Sequence, residues 1–218
     1  MAPRSILAHA ALLNLILVAG CSDPSKNVDK ANVADPQTTA SAAAKQKGKE
    51  YVIRAESTIG FVGSKVTGSH TGGFKQFSGQ LQVADGKIVG TPEIKIDMRS
   101  TWSDNNRLTG HLKSPDFFDA EQFPVSTFVV TKIEPAGPQQ KVTGNLTLHG
   151  VTKSISFPAS IQISDQAVSV KAEFAINRKD FNINYPGKPN DLIRDNVVIK
   201  LDLTATPGPA RPQDQISG

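Results

Sequence analysis

The side chains best able to do chemistry in this chain are His70, His111, His149, the single Cys21, and a charged pair, Arg178 and Asp180. The histidines lie far apart, and none shares the i, i+2 or i, i+4 spacing by which a zinc site is read directly from sequence. No metal site is therefore assigned. Serine, histidine and aspartate are all present, but no nucleophile-elbow pattern accompanies them. Asp116, Asp119 and Glu121 stand near a helix start, where carboxylates act as caps and solvated charge before they act as a catalytic pair. No residue is assigned as catalytic, and an enzymatic role finds no support. Arg178 and Asp180 are two apart, so on a strand they would share a face. If that face is inward their charges must be paired, which reads either as a structural ion pair or as a polar contact at one end of a cavity. Arg107 and His111 are the other two candidate polar contacts.

The elements that would position these groups are strands. Apolar residues alternate with polar or small ones at Ile59 and Phe61, at Ile94, Ile96 and Met98, at Leu146 and Leu148, at Ile155 and Phe157, from Val168 to Ile176, and from Val197 to Leu203. This period of two argues for antiparallel strands with one buried face. Turn signals separate the runs at Asp85-Gly86, His149-Gly150, Ser164-Asp165 and Pro186-Gly187. The pattern predicts an all-β fold, a single closed antiparallel barrel of about eight strands. Such a barrel can fill itself with side chains or hold one ligand, and the pattern leaves both open.

One stretch interrupts the alternation: Arg107–Phe128, RLTGHLKSPDFFDAEQFPVSTF. Ser114 is suited to cap a short helix, with Pro115 at its first position and Asp116 near its N-terminal end. The expectation is a short helical insertion near 107–120. Phe117, Phe118 and Phe123 are apolar rings on a connection that is otherwise polar, so they must bury themselves at the mouth or floor of whatever the strands enclose.

The ends of the chain read differently. Residues 1–20 carry a basic start at Arg4 and a mostly apolar run from Ile6 to Ala19, too short to span a bilayer. Leu17-Val18-Ala19-Gly20-Cys21 is similar to a bacterial lipobox, which implies cleavage before Cys21, lipid attachment to it and anchoring to a membrane. Ser22 in the next position favours the outer membrane. Residues 21–50 are poor in large apolar groups and read as a disordered tether, 51–206 as the folded domain, and 207–218 as a disordered Pro-rich tail. Between 51 and 206 there are 17 Lys and Arg against 15 Asp and Glu, a net of +2, with no basic cluster interleaved with aromatics. Nucleic-acid binding is excluded on that ground.

Four separated blocks carry a resemblance: Ser57–Val83, Arg107–Phe128, KVTGNLTLHGVTKSISF (Lys141–Phe157) and INRKDFNI (Ile176–Ile183). Together they resemble the YceI-like family of bacterial periplasmic lipid-binding proteins. Two positions depart from its pattern: Leu108-Thr109-Gly110 separates Arg107 from His111-Leu112, where relatives place an Arg-Asp pair, and Asn182 stands where a Gly is common. The resemblance implies a lipocalin-like barrel that holds a polyisoprenoid, an isoprenoid quinone or a fatty acyl compound in an elongated apolar cavity, facing the periplasm, with no cofactor and no covalent step. The residues it makes candidates for the lining are Phe61, Trp102, Leu112, Phe117, Phe118, Phe123, Phe128, Leu146, Phe157, Phe174 and Phe181. A homodimer is compatible with this reading. The alternative is a barrel with a filled core serving as an envelope stress-response or protein-interaction module.

Overall fold

The computed structural model describes residues 23–38 and 48–208. The expected signal segment, Cys21 and nearly all of the expected C-terminal tail lie outside these residues. In chain order the elements are β1 (Asn32–Ala34), β2 (Lys49–Ile53), β3 (Thr58–Lys65), β4 (Gly68–Phe74), β5 (Phe77–Ala84), β6 (Lys87–Asp97), β7 (Thr101–Ser103), α1 (Asn106–Lys113), β8 (Val125–Ala136), β9 (Gln139–Leu148), β10 (Val151–Ile163), β11 (Val168–Asn177), β12 (Gly187–Lys188), β13 (Asp191–Leu192) and β14 (Asn196–Pro207).

Several of these strands are halves of longer ones. β14 pairs with β2 through Ala205–Pro207 and with β3 through Val198–Asp202, so β2 and β3 form one strand broken at residues 54–57. β4 with β5, and β6 with β7, are broken beside it, the first at Lys75-Gln76 and the second by a 3-10 turn at Met98–Ser100 capped by Asp97. Three adjacent breaks let the sheet coil sharply. Counted this way the wall has eight antiparallel strands, and it closes because β11 pairs with β14 on one side and β10 on the other. Asp85-Gly86 and His149-Gly150 turn two of the hairpins with positive φ at both residues, as a two-residue turn between right-twisted strands requires.

The closure has a gap. β10 meets β11 only through Ser160–Ile163, and below that point the two strands part. The N-terminal segment fills the opening. β1 runs antiparallel to β10 with Val33 opposite Ile155, while the Ala31 amide donates to the Ala175 carbonyl (2.8 Å) and the Ala175 amide to the Asp29 carbonyl (2.8 Å). Ala31 and Val33 pack against the core cluster of Val142, Ile155, Phe157, Phe174 and Phe181. Further on, the Asn145 side chain donates to the Gln37 carbonyl (2.7 Å) and accepts from the Gln37 amide (2.9 Å). The expectation of a disordered tether therefore fails for residues 23–38. Composition was a poor guide because the parted strands present unpaired backbone groups, which any extended segment can satisfy.

The short helical insertion expected near 107–120 is present, but Ser114 and Pro115 do not start its helix. The helix is α1, capped at its start by Asn105, whose side chain accepts from the Leu108 amide (3.0 Å). Ser114 ends the helix: its hydroxyl donates to the His111 carbonyl (2.8 Å). Residues after it form consecutive turns, with the Phe117 and Asp119 amides both donating to the Ser114 carbonyl. Pro115 ends the helix, because the residue ahead of a proline is held extended, as Ser114 is at ψ 169°.

Candidate binding cavity

The inward faces of the strands do not meet at the barrel axis. They enclose a cavity of about 180 Å³, and in line with it a second of about 70 Å³. Ile94, Phe128, Phe157 and Leu201 line both and form the waist between them. The larger cavity is apolar: among its lining residues only Ser126 and Arg178 have polar side chains. The Ser126 hydroxyl is already committed, donating to the Thr147 carbonyl (2.7 Å). A cavity of this character does not retain ordered water.

Aromatic rings shape the waist and the lid. Phe157 stacks on Phe174 at 3.9 Å and 9°, and Phe128 lies 5.7 Å from Phe157. A Cβ at Gly144 would fall 2.5 Å from the end of the Phe128 ring, so the absent side chain makes room for that ring. Gly72, opposite Phe61 in the β3–β4 ladder, does the same for Phe61. At one end, Leu112, Phe117 and Phe118 from the insertion close over the barrel. Phe118 sits 6.3 Å from Phe61 and 5.9 Å from Phe74, three rings in mutual contact.

His111 holds this lid from outside. Its Nε2 lies 2.7 Å from Asp116, and its ring is edge-on to Phe117 (4.9 Å) and Tyr185 (5.0 Å). Arg107 is exposed on α1. The strand placement expected for Arg178 and Asp180 is wrong: Arg178–Phe181 is a 3-10 turn, and Arg178 pairs with Asp195, not Asp180. Arg178 is buried and borders the cavity, with its guanidinium donating to the carbonyls of Arg194 (3.2 Å), Ile183 (2.6 Å) and Ile193 (3.4 Å). Burial pushes its pKa down, and the Asp195 carboxylate opposes that. Arg178 is thus the pin of the 183–195 loop, and its donors are already engaged there.

Of the expected lining residues, Phe61, Leu112, Phe117, Phe118, Phe128, Leu146, Phe157 and Phe174 border the larger cavity. Three do not. Trp102 faces outward from β7 and lies across Gly73. Phe123 packs outside the lid against His149 at 5.0 Å. Phe181 is fully buried in the core cluster with Phe157 and Phe174, and its carbonyl lies 3.2 Å from His149 Nδ1. Ile183 and Ile193 were missed, because they sit on an irregular loop with no period to reveal them. Phe74 was missed as well, and its signal was its place two residues beyond Gly72 in the same strand.

The YceI-like domain family matches residues 51–205. The chain belongs to the YceI-like family. Among curated relatives, a UPF0312 protein of Pseudomonas putida is 33% identical over 153 residues, covering 63% of this chain and 78% of its own. Protein YceI of Salmonella arizonae is 32% identical over 160 residues, covering 67% and 80%. Among solved structures, this YceI-like chain is similar to BcnA of Burkholderia cenocepacia, with 27% identity, a TM-score of 0.60 and coverage of 70% and 98%. A polyisoprenoid binding domain from Saccharophagus degradans, 20% identical with a TM-score of 0.62 over 74% and 100%, shares the fold.

Proposed function

We propose that this YceI-like barrel binds one long apolar lipid, a polyisoprenoid, an isoprenoid quinone or a fatty acyl compound, and sequesters or carries it at the bacterial envelope without chemical change. The single observation that carries the reading is the apolar bore: two adjoining cavities, an almost wholly apolar lining and an aromatic lid at one end. An apolar chain in such a bore is held by burial, at about 25 cal/mol per Å² removed from water, and needs no catalytic group. The bore also speaks against the filled-barrel alternative. The polyisoprenoid binding named for the Saccharophagus domain supports the same ligand class. Acylation of Cys21 would hold the barrel on a membrane facing the periplasm. The test is native mass spectrometry of protein purified without detergent, followed by lipid extraction. A co-purifying lipid is expected, and a delipidated sample should take up a polyisoprenol. If neither occurs, the carrier reading is wrong.

A further inference from the structure

Three large apolar side chains are exposed among the described residues: Val66, Trp102 and Leu192. Two of them touch. The bridge between Lys65 and Ile193 places Val66 opposite Leu192, and the Val66 amide donates to the Leu192 carbonyl (3.2 Å). Val66 is 55% exposed and Leu192 50%. This apolar tip stands at the lid end, since Ile193 borders the cavity and packs in the same cluster as Leu112 and Phe117. The flanking carboxylates do not leave free negative charge beside it. Asp191 is paired with Lys65, and Asp195 with Arg178 and Lys179.

The course of the chain says what covers the tip. Asp23 is ion-paired with Arg194 at 3.5 Å, two positions from Leu192. Cys21 is therefore within about 7 Å of Asp23 along the chain, and the apolar run Ile6–Ala19 leads into it. Anything that holds residues 1–22 in a membrane brings the rim of the cavity to that membrane.

We propose that the rim formed by the β3–β4 turn and β13 docks on a phospholipid bilayer, with Val66 and Leu192 entering the acyl region and the mouth of the cavity turned toward the membrane. Two aliphatic side chains alone give only weak interfacial binding, but beside a tether they fix the orientation of what is tethered. The proposal goes beyond lipid binding by the cavity and rests on the membrane-anchor part of the proposed function, not on the identity of the bound lipid.

Trp102 is replaced by Phe in the full chain, and a single reporter is introduced as Val66→Trp, Leu192→Trp or, at the opposite end of the barrel, Asp165→Trp. Vesicles of phosphatidylethanolamine and phosphatidylglycerol carry doxyl groups on their acyl chains. Quenching is expected at 66 and 192 and not at 165. Val66→Asp added to Leu192→Trp should abolish it, because a carboxylate on the tip would have to enter the acyl region. Equal quenching at all three positions, or none, overturns the proposal. So does a vesicle-free sample that sediments as a dimer with the 66 and 192 reporters already shielded, since a second copy would then cover the tip. Polyisoprenol uptake by the delipidated protein is measured in parallel. Quenching without uptake keeps the docking and removes the carrier reading; uptake without quenching does the reverse.

Discussion

Replacing Leu146 with Trp separates an open bore from a packed core, because the first loses lipid affinity and the second loses stability. Leu146 lies on β9 opposite Phe128 and borders the larger cavity of about 180 Å³ but not the smaller one. The indole would occupy the room of roughly four methylenes of a bound chain, at about 0.8 kcal/mol each. Affinity for a polyisoprenol should then fall by about 3 kcal/mol, roughly two hundredfold. Folding should not suffer, because the added atoms enter space that is already void. In a filled interior the same change would be overpacking, at about 1–3 kcal/mol, which lowers Tm by roughly 3 °C per kcal/mol in a domain of this size. The assays are titration of delipidated protein with a fluorescent polyisoprenol and thermal unfolding followed by near-ultraviolet circular dichroism. A Tm lowered by several degrees with unchanged lipid affinity would refute the reasoning.

Gly144→Ala should press on both the Phe128 ring and the Val129 carbonyl, pushing the ring toward the waist, costing about 1–3 kcal/mol of stability and shortening the longest chain the barrel accepts; a series of polyisoprenols of increasing length reads this directly. Arg178→Met leaves three loop carbonyls without their donor and should destabilise by roughly 3 kcal/mol, seen in urea unfolding, with hydrogen exchange rising first across 183–195. Val33→Asp puts a carboxylate against Ile155 and Phe157 and should release β1 from β10, raising hydrogen exchange at Ser154–Ser156 and Ala175 while the rest of the barrel stays protected. Asp191 is held below the usual carboxylate range, chiefly by the hydrogen bond from Lys65, and Asp23 chiefly by that from the Ser25 hydroxyl. Both bind fewer protons folded than unfolded just below the ordinary carboxylate pKa. Their contribution is thus complete above about pH 4 and lost as pH falls through their folded values; Tm measured against pH should show this acid limb, reduced in Asp191→Asn.

The barrel was legible because period two survives in most of the wall strands, and a buried face gives the same alternation whether it packs against a core or borders a void. That equivalence is why the cavity itself was not legible. Ile59, Ile96 and Ile199 read only as part of a buried face, and the structure places them on the cavity. The lid was half legible. Its rings and the helical insertion announced themselves, but Ser114-Pro115 signals a start as readily as a stop, and here it marks the end of α1. Arg178 and Asp180 were paired by strand spacing, which ceased to apply once the strand ended at Asn177. The strap at 23–38 had no signal in its composition, since what it satisfies belongs to β10 and β11.

An interior so rich in phenylalanine stays open because of where its rings rest. Phe61 lies over Gly72 and Phe128 over Gly144, each on the neighbouring strand, at points where any larger residue would collide with the ring. A ring seated over a glycine lies back against the wall. Without that seat it would have to project toward the axis, where the rings of opposite strands would meet and close the bore. Glycines in β-strands cost stability through their flexibility, and a barrel needing only tight coiling can obtain it from the breaks at 54–57, 75–76 and 98–100. Placing glycines beside the lining rings as well makes sense for a wall that must remain thin along its length. These glycines thus act to keep the interior open, which is what a carrier of a long apolar chain requires and a filled barrel does not.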